Sequence, residues 1–143
     1  MADTPKHSVS VAGIVVDDRG RVLIIRRRDN GHWEPPGGVL EIGESFEDGV
    51  RREVEEETGL PVAVEQLTGV YKNMQRAVVA LVFRCHPLGE RPRETAEAAD
   101  VRWVDPAEIP SLMDPAYAVR VTDALSNAAP ATRVHDGVRL IDA

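Results

Sequence analysis

Between Gly38 and Leu60 the chain reads GVLEIGESFEDGVRREVEEETGL, and in it Glu53, Glu56 and Glu57 stand three and four residues apart. On a helix that spacing brings their carboxylates to one side. Like charges so placed repel by ~0.2–0.5 kcal/mol per pair. Glu55, Glu56 and Glu57 also crowd a helix C-terminus, where the backbone dipole favours cations. Arg52 offsets part of this through Glu56, in the poorer Arg-before-Glu order. A divalent cation would offset it better, because carboxylate oxygens are the ligands that hard ions such as Mg²⁺ and Mn²⁺ prefer. Just upstream, Pro35-Pro36-Gly37-Gly38 is a glycine-rich turn that permits close backbone approach, so a carbonyl there could join the carboxylates at a metal. A solvated acidic helix face, the usual reason for a run of charge, accounts for the glutamates but not for this preceding segment.

The element that must position these groups is a helix from about Ser45 to Thr58. Ser45 is a good N-cap, Asp48 follows at capping-box distance, and Gly59 is the usual stop. Phe46, Val50 and Val54 share a stripe expected to face a core. Upstream, His7–Val16 is valine-rich and reads as a strand. Asp17-Asp18-Arg19-Gly20 is a turn, and Arg21–Arg27 is a second strand closing a hairpin. Arg28–His32 is a loop, and Trp33–Gly38 is extended ahead of its prolines. Downstream come a strand, VAVEQL, then Gly69-Val70-Tyr71, and AVVALVFRCH as the best candidate for a central, doubly buried strand. A polar loop over Pro87–Ala99 leads to a short strand at Asp100–Val104, with Trp103 read as core packing, and then a helical turn at Asp105–Glu108. Asp114-Pro115 opens a second helix to about Asn127. Pro130–Ala143 reads as a small hairpin or a loose tail. No repeat, low-complexity tract or linker interrupts the chain.

At 143 residues, with 43% hydrophobic and 29% charged residues, the chain is expected to form one soluble domain over 1–143, with tails at 1–6 and about 130–143. The net charge is −7, yet Gly38–Leu60 alone carries eight acids against two arginines, a net of −6. Acidity this local suits a cation site and argues against a surface for duplex nucleic acid, which wants a basic stripe. Cys85 is the one cysteine, which excludes an intrachain disulfide and a cysteine-rich zinc site. The first ten residues lack the apolar core of a signal peptide, and Ala77–Phe83 is too short to span a bilayer. A cytoplasmic protein without membrane contact is expected.

Read as a pattern, the segment runs Gly38, five residues, Glu44, seven residues, Arg52-Glu53-Val54, one residue, Glu56-Glu57, one residue, Gly59-Leu60. It resembles the Nudix box at every fixed position, including the aliphatic ones at Val54 and Leu60. The likeness continues more weakly through GHWEPPGG upstream and EAADVRWV downstream. The resemblance implies an α/β/α sandwich, a mixed β-sheet packed between helices, with the box (38–60) as loop–helix–loop. It also implies hydrolysis of a nucleoside diphosphate linked to another group, assisted by Mg²⁺ or Mn²⁺.

By that resemblance Glu53, Glu56 and Glu57 are metal ligands, joined by a backbone carbonyl of Gly37 or Gly38. Arg52 orients the glutamates, and Glu44 is either a second orienting partner or simply an acid well placed at a helix start. The general base comes from the box or from a later loop. Glu97, six residues before Trp103, is the outside candidate, with Glu94 behind it and a solvated loop acid as the equal alternative. One of Arg26, Arg27 and Arg28 could clamp phosphate, Arg26 and Arg28 foremost since strand alternation turns only some of them inward. Lys72, Arg76 and His32 are weaker candidates. Trp33 and Tyr71 are candidates for stacking on a base. The expected partner is a small nucleoside-diphosphate compound, with the chain a monomer or homodimer. The proline about fifteen residues past the box that marks ADP-ribose hydrolases is absent; Gln75 stands near there. Exclusion of this kind leaves nucleoside triphosphates, oxidised ones among them, as the first substrate reading. ADP-ribose, nucleotide sugars and other nucleoside-diphosphate derivatives stay open. A non-catalytic, nucleotide-sensing module is the competing class, although such modules usually lose box carboxylates and this chain keeps all of them.

Overall fold

The structure is a computed structural model that describes residues 3–89, 91–93 and 95–141. Strand β1 (Ser8–Val15) is the hub of a six-stranded mixed sheet. The remaining members are β4 (Gly37–Val39), β5 (Val62–Asn73), β6 (Val78–Pro87), β8 (Ala131–His135) and β9 (Leu140–Ile141), and the spatial order is β4-β1-β6-β5-β8-β9. β1 runs antiparallel to β4 and parallel to β6, with Val11 opposite both Gly38 and Leu81. A three-stranded antiparallel sheet, β3-β2-β7, is built from β2 (Val22–Arg27), β3 (Trp33–Glu34) and β7 (Ala98–Val104).

Alternation along β1 divides its side chains between two cores. Val11 and Val15 join Val50 and Val54 of α1 (Phe46–Thr58), together with Leu23, Phe83 and Cys85. Ala12, Ile14 and Val16 join Tyr71, Val82 and the inner side of α3 (Pro115–Leu125). A short 3₁₀ turn at Pro106–Glu108 and a one-turn helix, α2 (Ile109–Leu112), lead into α3. The main sheet is thus covered by helix on both faces, the α/β/α sandwich, which is why β1 ends in the unbroken apolar run Val11-Ala12-Gly13-Ile14-Val15. Cys85 is wholly buried, and burial pushes its thiol up to about 12, so it behaves as a small core residue.

Several expectations change. β1 and β2 do not make a hairpin: their backbones pair only at the Val16–Val22 bridge, because both edges of β1 are already taken by β4 and β6. Phe46 is 46% exposed, and Glu47 and Asp48 after it are exposed too, whereas Gly49, Val50 and Val54 are buried. The VAVEQL strand and Gly69-Val70-Tyr71 are one strand, β5, with register shifts at Val64/Gln66 and Leu67/Gly69. Of the two readings of the C-terminal stretch the small hairpin holds over 131–141: β9 pairs antiparallel with β8, and β8 also joins the main sheet by pairing in parallel with β5. Trp103 is half-buried, with the Arg21 guanidinium 5.8 Å over its ring. No described helix is long and apolar enough to cross a membrane.

Candidate active site

The inward face of α1 reads Val50, Glu53, Val54, Glu57, the i, i+3, i+4, i+7 pattern of a buried stripe with acids in two of its places. Both glutamates are only 8% exposed. The Ser45 hydroxyl caps the helix by accepting from Asp48 N at 3.2 Å, while the Asp48 carboxylate turns to Arg51 instead of closing the capping box. Gly59 ends the helix at φ 72°, a backbone conformation that costs a side chain dearly.

The glycines of β4 lie against these acids. Gly37 N–H donates to Glu57 Oε1 at 2.6 Å. A Cβ added to Gly38 would fall 2.6 Å from Glu53 Oε2, so the backbone touches the carboxylate and only glycine leaves room for it. Arg52 ties the remaining acids together. Its guanidinium donates to Glu44 at 2.6 and 3.0 Å, to Glu53 at 2.8 Å, to Glu56 at 3.3 Å and to the Val39 carbonyl at 3.2 Å. That grip holds the Glu44 carboxyl down to about 2.

Glu57 has the opposite problem. Burial pushes its carboxyl up to about 8; the Gly37 N–H opposes this, while Glu53, Glu34 and Glu97 reinforce it. Glu53 is raised as well, by burial, against the pull of Arg52. Glu34 is raised by burial, opposed by Arg27. Glu56 stays exposed beside Arg52. As the side chains stand, among the described residues no three His, Cys, Asp or Glu groups converge tightly enough to enclose an ion. The chemistry of the donors nevertheless fits a hard dication: two buried carboxylates pressed on a glycine backbone, a third one helical step away, and a Glu57 carboxyl raised by burial and then by its acidic neighbours.

Glu97 is exposed and close enough for its charge to be felt at both Glu53 and Glu57. Its loop is fixed to the end of α1. Thr95 Oγ1 donates to the Glu57 carbonyl at 3.2 Å, and Arg93 N–H donates to that of Thr58 at 2.7 Å. Glu94 lies outside the described residues. Arg28 does not hold a free guanidinium to the site. It donates to the Thr95 and Ala96 carbonyls at 3.1 and 3.0 Å and straps the Glu97 loop to β2. Tyr71 cannot stack on a base: it is wholly buried beneath α3, and its hydroxyl donates to Asp123 at 2.7 Å. Trp33 is half-buried, with the guanidiniums of Arg26 and Arg102 at 5.8 and 4.9 Å from its ring. With His32 and Tyr117 it lines a cavity of about 220 Å³. Lys72 lines a separate groove with Val70 and Leu140.

A family model described as NUDIX domain matches residues 6–125. The chain belongs to the Nudix family. A MutT-like protein of Streptomyces ambofaciens is 57% identical over 139 residues, 97% of this chain and 90% of that one. A putative 8-oxo-dGTP diphosphatase of Bacillus subtilis is 32% identical over 111 residues, covering 77% and 74% of the two chains. An ADP-ribose pyrophosphatase of Methanocaldococcus jannaschii is 35% identical over 112 residues, covering 73% and 66%. Among solved structures, a Nudix hydrolase from Nitrosomonas europaea shares the fold, with a TM-score of 0.79 at 24% identity over 92% of this chain and 78% of that one.

As a Nudix hydrolase the chain is an enzyme acting on acid anhydrides of small nucleotides. The Nudix box accounts for α1 and β4 but not for a second group that the fold brings beside them. A cavity of about 300 Å³ is edged by Gly37 and Gly38 and walled by Glu34, Arg120, Asn73 and His135. None of these four stood out from sequence patterns. One signal was present: Arg120 interrupts the inward stripe Ala116, Arg120, Val121, Ala124 of α3, as Glu53 interrupts that of α1.

Proposed function

We propose that this enzyme hydrolyses the pyrophosphate linkage of a nucleoside triphosphate, oxidised ones among its candidates, in the cytoplasm and with Mg²⁺ or Mn²⁺. The observation that carries the reading is the pair of buried carboxylates, Glu53 and Glu57, seated on the Gly37-Gly38 backbone. Glu53, Glu56, Glu57 and a carbonyl of Gly37 or Gly38 are the groups to hold the metal. Bound there, a dication neutralises diphosphate charge and lowers the pKa of its water. Arg52 keeps Glu53 and Glu56 on one side by anchoring to Glu44, so the carboxylates are oriented before substrate arrives. Glu97 is the proposed acceptor of the water proton, at its carboxylate, held in reach by the Thr95 and Arg28 contacts of its loop. Arg26, beside Trp33, is the proposed contact to the nucleotide's phosphate or base.

The likeness to a putative 8-oxo-dGTP diphosphatase supports the triphosphate reading. The likeness to an ADP-ribose pyrophosphatase favours a second reading, a nucleoside diphosphate joined to a sugar. Phosphate release from a panel of both compound types with Mg²⁺, with products identified, separates them. Turnover of some compound, abolished by Glu56→Gln or Glu57→Gln, is the expected result. No turnover of any compound would favour a nucleotide-sensing module.

A further inference from the structure

Helix α1 stops at Gly59, and its capping there is completed from another part of the chain. The last carbonyls of a helix have no partner within it, and no basic residue stands in the last turn of α1. Gly59 N–H donates to the Glu55 carbonyl at 2.8 Å. Two of the carbonyls that remain are taken by one loop: Thr95 Oγ1 donates to that of Glu57 at 3.2 Å, and Arg93 N–H to that of Thr58 at 2.7 Å. The Arg93 side chain follows its backbone onto the helix end. From Cγ to Nε it lies across Gly59, so that a Cβ added to the glycine would overlap Arg93 Cγ and stand 2.7 Å from Nε and 3.0 Å from Cδ. The missing Cβ of the stop residue is thus also the seat of Arg93.

The seat stands at the approach to Glu97, which follows four residues after Arg93. The Thr95 hydroxyl that reaches the Glu57 carbonyl also accepts from Glu97 N–H at 3.2 Å, so one oxygen joins the backbone of an inward glutamate to that of the loop acid. From the side of β2, Arg28 holds the Thr95 and Ala96 carbonyls at 3.1 and 3.0 Å. Upstream, Leu88 N–H ties the loop to the Pro61 carbonyl at 2.9 Å. Between those anchors, Arg93 gives the loop both a backbone and a side-chain hold on the end of α1. Its guanidinium is exposed, makes no ion pair among the described residues, and borders a cavity of about 460 Å³ with Arg52, Glu55 and Glu56. The hold is therefore made by the methylene stem, the part of a long cationic side chain that covers a surface while its head stays in water.

Resting on the reading that Glu97 accepts the water proton, we propose that Arg93 is a positioning residue whose stem, seated on Gly59, fixes where Glu97 stands relative to Glu53 and Glu57. Thr95 and Arg28 hold the loop by hydrogen bonds, about which a backbone can pivot; a stem packed where a Cβ would be removes that freedom. A displacement of about 1 Å at a reacting group is enough to cost on the order of 10²-fold in rate. The role follows the shape of the Arg93 side chain and not its charge.

The test joins steady-state kinetics on a nucleoside triphosphate with Mg²⁺ to amide hydrogen exchange in chelator, on wild type, Arg93→Ala and Arg93→Met. Arg93→Ala empties the seat. It should lose about ten- to hundredfold in kcat with KM unchanged, and its Glu97 amide should exchange about tenfold faster or more while those of Val50 and Val54 keep their rates. Arg93→Met, which keeps a stem without a charge, should restore most of both. Arg93→Ala that leaves the Glu97 amide unmoved overturns the proposal. So does a wild-type kcat in Arg93→Ala while Glu97→Gln is slow. Arg93→Met that fails as Arg93→Ala does, with KM raised, overturns it as well, because Arg93 would then act as a charge on the substrate's phosphate. Failure of the underlying reading shows separately, as Glu97→Gln turning over at the wild-type rate or as a wild type without turnover. In either case the exchange measurement, which needs no turnover, still decides whether Arg93 seats the loop.

Discussion

Helix α1 turns Glu53 and Glu57 inward among valines, whereas α3, on the other face of the same sheet, turns Arg120 inward among tyrosines. Each helix places charge on a stripe that packing alone would fill with apolar groups, and each leaves it short of a counter-charge. The two differ in how the shortage is handled. The acidic helix carries its own partial answer in Arg52, which binds three glutamates at once. The basic helix has aromatic faces in place of carboxylates, and cation–π contact gives roughly 0.5–2 kcal/mol against a desolvation cost of several. The Gly37-Gly38 strand lies between them.

The largest effect expected is at the acidic helix. Glu57→Gln should lower kcat on the order of 10²–10³-fold, the scale for losing one group that stabilises developing charge. It should also change stability in a direction that a merely structural carboxylate would not. Burial raises the folded-state value of Glu57 from 4.5 to about 8, so the folded chain holds a proton that the unfolded chain has lost. Metal-free stability should therefore be fullest below about pH 4.5 and fall as pH rises toward 8, by a few kcal/mol in order of magnitude. Thermal midpoints across that range should slope downward in the wild type and clearly less in Glu57→Gln, where only the raised Glu53 and Glu34 remain. A wild-type curve without the slope would break the comparison, because Glu57 would then be no more deprived of positive charge than an ordinary surface acid.

The same contrast explains why one half of the site is legible in the sequence and the other is not. The acidic half is written in consecutive spacing: Val50 and Val54 fix the buried stripe, and Glu53 and Glu57 fall in its gaps, so one helix and one preceding turn contain the pattern. The basic half is assembled from Asn73, Arg120 and His135, which lie far apart in the chain and meet because β5 pairs with β8 and α3 covers them. Tyr71 shows the limit from the other side. It was a fair stacking candidate as an aromatic after a strand, but which face of β5 is covered depends on α3, and α3 covers Tyr71. Arg28 was equally fair as a phosphate clamp until the fold set the Thr95 and Ala96 carbonyls in front of it.

Arg52 lets the acidic side be loosened without removing an acid. Arg52→Lys keeps one charge but cannot hold Glu44 in a fork while reaching Glu53, so a loss of roughly 10–100-fold in kcat is expected, the range for groups that orient ligands. Glu44 should report the change independently. Arg52 keeps its carboxyl at about 2, so the stability it contributes is present above its ordinary 4.5 and fades as pH falls toward 2. In Arg52→Lys that acid limb should shift upward. A smaller effect, about tenfold in kcat with KM unchanged, is expected of Arg28→Ala, which releases the loop that holds Glu97. In a Glu97→Gln background the same substitution should do nothing further, since both changes act on one proton transfer. Full additivity would separate Arg28 from Glu97.

The smallest effect concerns the rim of the basic side. The turn between β5 and β6 brings Arg76 to the cavity, and its last residue, Ala77, has φ 53°, a left-handed conformation that a side chain adopts at a cost of about 1–2 kcal/mol. Ala77→Gly removes that cost but gives back roughly 0.5–1 kcal/mol through the freer unfolded chain. The net gain should stay under about 1 kcal/mol, a rise in thermal midpoint of about 2–4 °C at most for a chain of this size. Triphosphate affinity in chelator decides what the turn is for. If Asn73 alone fixes Arg76 through its bonds to the Gln75 and Arg76 amides, the glycine variant binds as the wild type does, and only the midpoint moves. If affinity falls while the midpoint rises, the strain at Ala77 is part of how the rim is held, and the basic side depends on backbone conformation where the acidic side depends on Arg52.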